Sequence, residues 1–382
     1  MKEVNHSKIK ETNRKKIIKL LLKKDEITKL DISRELNISI TTVTTNINEL
    51  KINNIVEEVG VLESTGGRKA LAIKVKENCK YSIGVAVTPK HIKISLINIK
   101  RVIIENVRVR HDNNGIENIV ELINKNISAL LEKHSIDNEE LLGIGISIPG
   151  TVDSENGIIK YSYLLNVKEF NLRGAFEHIN APIYIDNEAN LSAYYEFLSR
   201  RDALNNLLYV SITEGIGLGI IINGKIYRGD NNSSGELGHM KICMGGKKCK
   251  CGAAGCFEAY ASINSLIDNY NEISNSKIYD IDTFEEKYNE KDELVEKVLD
   301  KYIEVLSIGI SNLNMLLDPN IIILGGDINN LINNKVDNLR INIYKDNSFT
   351  NDKNCTISVS NFRESYLLGA AMTPIEEFLE IK

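Results

Sequence analysis

The chain lacks the features that would place it in a membrane or cross-link it outside the cell. No apolar run approaches the ~20 residues that a membrane-spanning helix needs, and the basic, polar stretch Met1–Lys19 is unlike a signal peptide. Six cysteines in 382 residues do not form a disulfide framework. Membrane proteins and disulfide-rich secreted proteins are therefore excluded, and we expect a cytoplasmic protein in a reducing environment.

The length of the chain predicts several domains, and the uneven distribution of charge predicts that these domains bind different partners. A chain of 382 residues is too long for one ordinary core, so two or three domains are expected. Residues 1–76 carry 16 Lys and Arg against 10 Asp and Glu, a net charge of +6, whereas the remainder carries 31 against 42, a net charge of −11. A basic segment on an acidic body indicates a phosphate-bearing partner that the N-terminal part meets alone.

Hydrophobic periodicity predicts three helices in this basic segment. The first spans Asn13–Lys24, and the second begins at Thr28, with Asp31 three residues on as a capping pattern. Ser39 can cap the third, Ile40–Leu50, which follows a short turn, so the segment predicts a helix-turn-helix. The inward-facing residues predicted for the second and third helices are Leu30, Ile32, Leu36, Val43, Ile47 and Leu50.

The outward face of the third helix suits double-stranded DNA. Its hydroxyls and amides can meet base edges and phosphates, and threonine methyls can meet thymine methyls. Two β-like runs, Val56–Leu62 and Ala70–Val75, flank a basic Gly-Gly turn whose cations could reach a minor groove. The alternative is a helical protein-interaction domain, although such a domain does not require a basic Gly-Gly turn. The predicted DNA-binding residues are Ser39, Ile40, Thr41, Thr42, Thr44, Thr45, Asn48, Gly66, Gly67, Arg68 and Lys69.

From Tyr81 onwards the pattern changes to two α/β series. Two such halves around a cleft suit a small ligand bound between them. In the first series we predict strands Tyr81–Val87, His91–Ile99, Val102–Val109 and Leu142–Ile148, with a helix over Gly115–His134. In the second we predict strands Leu207–Thr213, Ile216–Asn223 and Ile321–Leu324.

A cysteine-rich loop interrupts the second series. His239, Cys249, Cys251 and Cys256 follow one another as His-x9-Cys-x-Cys-x4-Cys. Four soft ligands suit tetrahedral zinc, and a full set of four indicates a structural zinc site and not a catalytic one. The alternative, four ordinary buried residues in a Gly-rich loop, explains the Cys-x-Cys pair with a third Cys poorly.

This loop is similar to the zinc signature of ROK proteins (repressors, open reading frames and sugar kinases), and the N-terminal segment resembles the winged helix-turn-helix of ROK repressors. Together the resemblances cover nearly the whole chain. They imply an α/β, actin-like (ribonuclease H-like) sugar-kinase fold of two lobes. We expect a DNA-binding domain over residues 1–76, a first lobe over 80–187 completed by a C-terminal helix over 362–382, and a second lobe over 188–361 with a zinc loop over 235–260.

The resemblance also shows where the chain departs from a kinase. Ala86 stands where the family has the acidic residue of its first phosphate loop, and Glu188 stands where it has the catalytic Asp. Glu214 replaces a phosphate-binding Thr, and a carboxylate repels an ATP phosphate. The run Ile321–Asp327 resembles the adenosine motif, although a buried strand followed by a turn explains it equally well. We therefore expect no enzyme activity and no catalytic residue.

The sugar side is better preserved. Carboxylates accept hydrogen bonds in pairs from vicinal hydroxyls, and one nitrogen of His239 could bind zinc while the other donates to a sugar. One departure is Leu164, which stands where the family has an Asn; either Asn166 takes its place or one hydroxyl contact is lost. By resemblance the sugar-binding residues are Gly150, Asn187, Glu188, Glu236, His239 and Glu258.

These observations predict a sugar-responsive transcriptional repressor of carbohydrate utilisation, released from operator DNA by a sugar bound between the lobes. The run Asn187–Asn190 has the spelling of xylose-type repressors, so xylose is the first expected effector. Helix-turn-helix proteins usually act as dimers on paired half-sites, which predicts a homodimer or homotetramer. The alternatives are an ATP-dependent ROK sugar kinase with a DNA-binding domain, and an interaction protein regulated by a transport-system protein.

Overall fold

The computed structural model describes residues 2–62, 70–112, 115–200, 204–345 and 349–380. They form two compact units. The first contains Met1–Ile146, Asn171–Ile185 and Ala370–Lys382, and the second contains Ser147–Phe170 and Asp186–Gly369. The expected division into three domains stays a prediction, because compactness alone does not show which segments fold independently.

The N-terminal part of the first unit is a winged helix. Thr28 Oγ1 accepts a hydrogen bond from the backbone N–H of Asp31, and Ser39 Oγ accepts one from that of Thr42, so both predicted caps are present. Asn37 ends the second helix with a left-handed φ of 51°. The elements are α1 (Lys2–Lys24), β1 (Ile27–Thr28), α2 (Lys29–Leu36), α3 (Ile40–Ile52), β2 (Val56–Leu62) and β3 (Ala70–Val75).

The core of the winged helix follows the predicted pattern, except that Leu36 is only partly buried and Leu30 is exposed. Val43, Ile47 and Leu50 of α3 are buried, as is Ile32 of α2. The prediction for Leu30 was wrong, since its side chain is 50% exposed. Two residues advance about 200° around a helix, so once Ile32 faces the core, Leu30 faces away from it.

Two acidic residues tie α3, the predicted recognition helix, to its surroundings. Glu49 of α3 pairs with Lys10 and Arg14 of α1. Glu58 of β2 pairs with Lys29 of α2 at 3.0 Å and with Lys51 of α3 at 2.7 Å. These ion pairs hold α3 against α1 on one side and against the strand that leads into the wing on the other.

The rest of the chain adds thirteen strands and eight α-helices among the described residues. The predicted strands are all found, with ends that shift by at most two residues. The elements are β4 (Tyr81–Val87), β5 (His91–Asn98), β6 (Ile103–Arg110), α4 (Ile116–Lys133), β7 (Leu141–Ile148), β8 (Thr151–Asp153), β9 (Ile158–Ser162), β10 (Val167–Asn171), β11 (Ile183–Asn187), α5 (Glu188–Ser199), β12 (Leu207–Ile212), β13 (Ile216–Ile222), β14 (Lys225–Ile226), α6 (Glu258–Ala261), α7 (Ile263–Ile273), α8 (Ile281–Asn289), α9 (Glu293–Leu317), β15 (Ile321–Gly326), α10 (Asn329–Tyr344), β16 (Thr356–Val359) and α11 (Ser365–Leu379).

Two five-stranded sheets organise these elements. The first has the order β11-β7-β4-β5-β6 and the second β14-β13-β12-β15-β16. In the second sheet β12 runs antiparallel to β13 and parallel to β15, so the carboxyl ends of β12 and β15 lie at one edge. The long helix α9 covers this sheet with a buried stripe that includes Leu299, Leu306 and Ile310. Nowhere in the described ranges is a helix long and apolar enough to cross a membrane.

Glu58→Gln tests the ion pairs behind the recognition helix. Hydrogen bonds from Lys51 and Lys29 hold the pKa of Glu58 below its ordinary value of 4.5. A carboxyl with a lowered pKa stabilises the fold above pH 4.5, and this contribution disappears as the pH falls through the lowered pKa. We expect the variant to lose about 0.5–1 kcal/mol at neutral pH and to converge with the wild type in acid. Urea unfolding at several pH values measures this. Glu26→Gln, on an exposed residue between α1 and β1, is the control, and an equal loss there would contradict the assignment.

Candidate functional site

The candidate sugar ligands converge on the amino-terminal end of α5 in the second unit. Asn187 caps this helix, because its Oδ1 accepts from the N–H of Ala189 at 2.8 Å. Its Nδ2 donates to the carbonyl oxygen of Gly150 at 2.7 Å. Gly150 itself has a φ of 129°, and a Cβ there would overlap the carbonyl oxygen of Tyr161. The structure thus brings together Gly150 and Asn187, which are distant in sequence.

Glu188, the first residue of α5, lies in an acidic environment. Its carboxyl interacts with the hydroxyl of Ser211, at the end of β12. Although the residue keeps partial exposure, removal of the carboxyl from water raises its pKa to about 7, and the negative charges of Asp327 and Glu214 act in the same direction. The carboxyl ends of β12 and β15 therefore carry a concentration of negative charge.

Glu236 and Glu258 lie on the two sides of the cysteine loop. Glu236 Oε1 accepts a hydrogen bond from Thr151 Oγ1 at 3.2 Å, next to Gly150. Glu258 begins α6, and its Oε1 lies 3.0 Å from Cys249 Sγ and 3.6 Å from His239 Nδ1. Glu258 thus contacts two of the candidate metal ligands directly.

The four predicted metal ligands form one cluster. The ligand atoms of His239, Cys249, Cys251 and Cys256 all lie within 4.8 Å of one another, and all six cysteines of the chain are free. Two of these separations, Cys251 Sγ to Cys256 Sγ and Cys249 Sγ to His239 Nδ1, are both 3.7 Å. Ligands at 2.0–2.3 Å from a tetrahedral ion are about 3.3–3.8 Å apart. The donor set and its spacing therefore fit a four-coordinate metal ion.

The glycines of the run Gly215–Gly219 have a packing explanation. A Cβ at Gly219 would overlap the carbonyl oxygen of Ala189, and one at Gly217 would lie 3.1 Å from the Ala189 side chain. These glycines allow α5 to lie directly on β13. Phosphate binding is not needed to account for them.

The region of Leu164 is a turn between β9 and β10. Asn166 occupies its corner with a φ of 50° and is exposed, and its N–H donates to the Tyr163 carbonyl at 3.2 Å. Leu164 is partly buried. The loss of a hydroxyl contact at Leu164 stays a prediction.

The predicted DNA-binding residues fall in two groups. Ile40, Thr41, Thr45 and Asn48 are exposed on α3, together with Ser39 at its cap, while Thr42 and Thr44 are partly exposed. The predicted wing residues Gly66, Gly67, Arg68 and Lys69 lie outside the described residues.

Sequence reasoning missed several residues around the sugar candidates. Thr151 and Asp186 adjoin predicted residues, Gly150 and Asn187, so their positions in the chain were a usable signal. Nothing in the sequence indicated Arg228, because 42 residues separate it from Asp186, with which it forms an ion pair.

A winged helix followed by two α/β sheets, with a polar site and a loop that carries a His/Cys cluster, defines an actin-like protein with an added DNA-binding domain. Comparison with known families identifies it further. The chain belongs to the ROK family, which matches residues 82–372, and a winged helix-turn-helix DNA-binding family matches residues 10–57. The predicted family and fold class are confirmed.

Individual relatives include both repressors and kinases. The chain is 32% identical to the xylose repressor of Bacillus spizizenii, over 84% of this chain and 83% of the relative. It is 30% identical to a glucokinase of Halalkalibacterium halodurans, over 54% of this chain and 69% of the kinase. The crystal structure of a ROK family transcriptional regulator, a homolog of the E. coli MLC protein, has the same fold, with a TM-score of 0.82, 22% identity and 97% coverage of both chains.

Glu188→Gln tests the acidic environment of α5. In the folded protein the carboxyl keeps its proton up to about pH 7, whereas its ordinary pKa is 4.5. A raised carboxyl pKa makes the fold less stable as the pH rises from 4.5 to about 7. Since glutamine carries no charge, we expect the variant to be more stable than the wild type by about 1–2 kcal/mol above pH 7 and equal to it near pH 4. Denaturant unfolding across this pH range is the measurement. Glu272→Gln on α7 should show no such divergence, and a pH-independent difference at Glu188 would refute the assignment.

Proposed function

We propose that this protein is a sugar-responsive DNA-binding repressor of carbohydrate utilisation genes, with xylose as the first candidate effector. The observation that carries the proposal is the extent of the similarity. The relative named xylose repressor aligns with 84% of the chain, whereas the glucokinase aligns with only 54%. A sugar kinase does not need a winged helix, whereas a DNA-binding repressor does.

On the DNA side, α3 is the proposed recognition helix. Thr44 and Thr45 donate their hydroxyls to the carbonyl oxygens of Ile40 and Thr41, at 2.8 and 3.0 Å. Their oxygens can therefore still accept hydrogen bonds, and threonine methyls can meet thymine methyls. Asn48 supplies an amide one turn further on, and the residues Gly66–Lys69 are proposed to contact an adjacent minor groove. Two copies of the chain would bind two half-sites, as a homodimer or homotetramer.

On the sugar side, the proposed ligands are Gly150, Asn187, Glu188, Glu236, His239 and Glu258. Carboxylates and amides in this arrangement can accept from and donate to several hydroxyls of one small ligand. The glutamate pair Glu236 and Glu258 is held by Thr151 and by the cysteine loop, which favours a fixed hydroxyl pattern. The sugar would release DNA only if it binds the DNA-free state more tightly than the DNA-bound state.

We further infer that the protein does not transfer phosphate. The negative charges of Glu214 and Asp327, joined by Glu188 once it loses its proton near pH 7, raise the free energy of any polyphosphate placed at the carboxyl ends of β12 and β15. Ala86, fully buried at the end of β4, offers no acidic group for a metal–nucleotide complex. These features favour a neutral ligand such as a free sugar.

We also propose that His239, Cys249, Cys251 and Cys256 hold a structural zinc ion. Four protein ligands leave no open position, so such an ion contributes to folding and not to catalysis. His239 and Glu258 would then be fixed by the same loop, because Glu258 contacts both His239 and Cys249. The cysteine loop would thereby orient two of the sugar ligands.

The zinc proposal predicts about one zinc ion per chain in protein prepared without chelators. Cys251→Ser should remove most of the metal, lower the midpoint of thermal unfolding and weaken sugar binding about tenfold or more, since the loop then no longer orients His239. Elemental analysis, thermal unfolding and calorimetry measure the three effects. The control is Cys243→Ser, an exposed cysteine of the same loop outside the cluster. A metal content near zero in the wild type would rule out the zinc site.

The repressor proposal predicts that a free sugar releases the protein from DNA. Fluorescence anisotropy on a duplex from its own upstream region, with xylose and other aldoses titrated in, measures this. We expect release by one aldose, and a response about 10- to 100-fold weaker in Glu236→Gln, while the affinity for DNA without sugar stays the same.

Other outcomes distinguish the alternatives. If the protein binds DNA and no aldose releases it, the effector is a sugar phosphate or a protein partner instead of a free sugar. Release of ADP with an aldose, lost in Glu188→Gln, would establish a kinase instead.

A further inference from the structure

We propose that the ion pair between Asp186 and Arg228 is the positioning element of the sugar site, so that its loss weakens sugar binding and leaves DNA binding intact. This inference rests on the proposed function. Neither residue is among the candidate ligands; each acts on residues that are.

Asp186 is a buried hub of hydrogen bonds. Its side chain is only 5% exposed. Its Oδ1 accepts from the N–H of Asn187 at 2.7 Å and from Asn190 Nδ2 at 2.9 Å. Its Oδ2 accepts from Arg228 Nε at 3.0 Å and also from Arg228 Nη2. One carboxylate therefore fixes the first turn of α5 through one oxygen and the guanidinium through the other.

Arg228 connects this hub to the two other segments that carry candidate ligands. Its Nε also lies 3.2 Å from Ser154 Oγ, just after β8, the strand that begins at Thr151 beside Gly150. Its backbone carbonyl accepts from the N–H of Ser234 at 3.1 Å, which closes the loop that leads to Glu236. The guanidinium thus links the segments of Asn187 and Gly150, and the backbone of the same residue holds the loop that leads to Glu236.

The chemistry of the pair favours positioning over general stability. A buried ion pair is weak evidence for stability, because the desolvation of both charges offsets much of their attraction. A planar guanidinium instead supplies hydrogen bonds of fixed direction, because its N–H groups point along fixed lines. Asn187 also caps α5 with its own side chain, so the helix start does not depend on Arg228. The pair sets where the segments of Asn187 and Gly150 lie relative to Arg228, the residue whose backbone holds the loop to Glu236.

Sugar and DNA affinities of the full-length protein separate this role from a structural one. We expect Arg228→Ala and Asp186→Asn to weaken the binding of xylose, or of whichever free aldose the wild type binds, about 10- to 100-fold by calorimetry. Arg228→Lys keeps the charge but loses the second directed donor, so it should be intermediate. Operator affinity without sugar should stay within about twofold of the wild type for all three. Arg363→Ala is the control, because Arg363 pairs with Glu285 at 2.9 Å in the same unit, away from the ligand residues.

Chemical rescue gives a readout that a structural defect would not produce. Millimolar guanidinium, far below denaturing concentrations, should restore part of the sugar affinity of Arg228→Ala and leave the wild type unchanged. The inference is overturned if Arg228→Ala and Asp186→Asn bind sugar like the wild type. It is also overturned if sugar affinity, operator affinity and thermal stability fall together and guanidinium restores none of them. A wild type that binds no free aldose would overturn the proposed function itself, and that outcome is seen before any variant is made.

Discussion

The candidate site depends on the close approach of α5 to the second sheet. The carbonyl oxygen of Ala189 lies where a side chain at Gly219 would be, so α5 can lie directly on β13 only because that residue is glycine. This contact places the first turn of α5, with Asn187 and Glu188, beside the strand ends that carry Ser211. Any larger residue at position 219 would force the helix outwards and move these polar groups with it.

The charges at this edge of the sheet determine which ligands it tolerates. Burial of the Glu188 carboxyl, together with the nearby charges of Asp327 and Glu214, raises its pKa to about 7. Acidic groups of this kind suit neutral, hydroxyl-rich ligands and oppose phosphates. The fold of a sugar kinase is thus combined with an electrostatic environment that disfavours the nucleotide.

The cysteine loop connects the candidate metal ligands with the candidate sugar-binding residues through Glu258. Its carboxylate contacts both Cys249 and His239, and Glu236 lies three residues before His239. A loop without regular secondary structure orients side chains poorly unless something cross-links it. The Asp186–Arg228 pair has the corresponding role for the segments of Asn187 and Gly150. Two separate devices, one based on soft ligands and one on an ion pair, therefore hold the polar groups of the same site.

The amino-acid sequence by itself predicted the helix-turn-helix, seven of the ten strands in the two five-stranded sheets and the four residues of the His/Cys cluster, whereas β11, β14 and β16 were not predicted. Caps such as Thr28 and Ser39, apolar periodicity and Cys-x-Cys spacing are local, and local patterns are read directly from the chain. Leu30 was misjudged because a two-turn helix shows too little of its periodicity to identify the buried face. Tertiary structure alone decided that Arg228 meets Asp186, that Thr151 meets Glu236 and that acidic groups surround Glu188. Those contacts join residues tens of positions apart, and only the packing of strands and helices brings them within hydrogen-bonding distance.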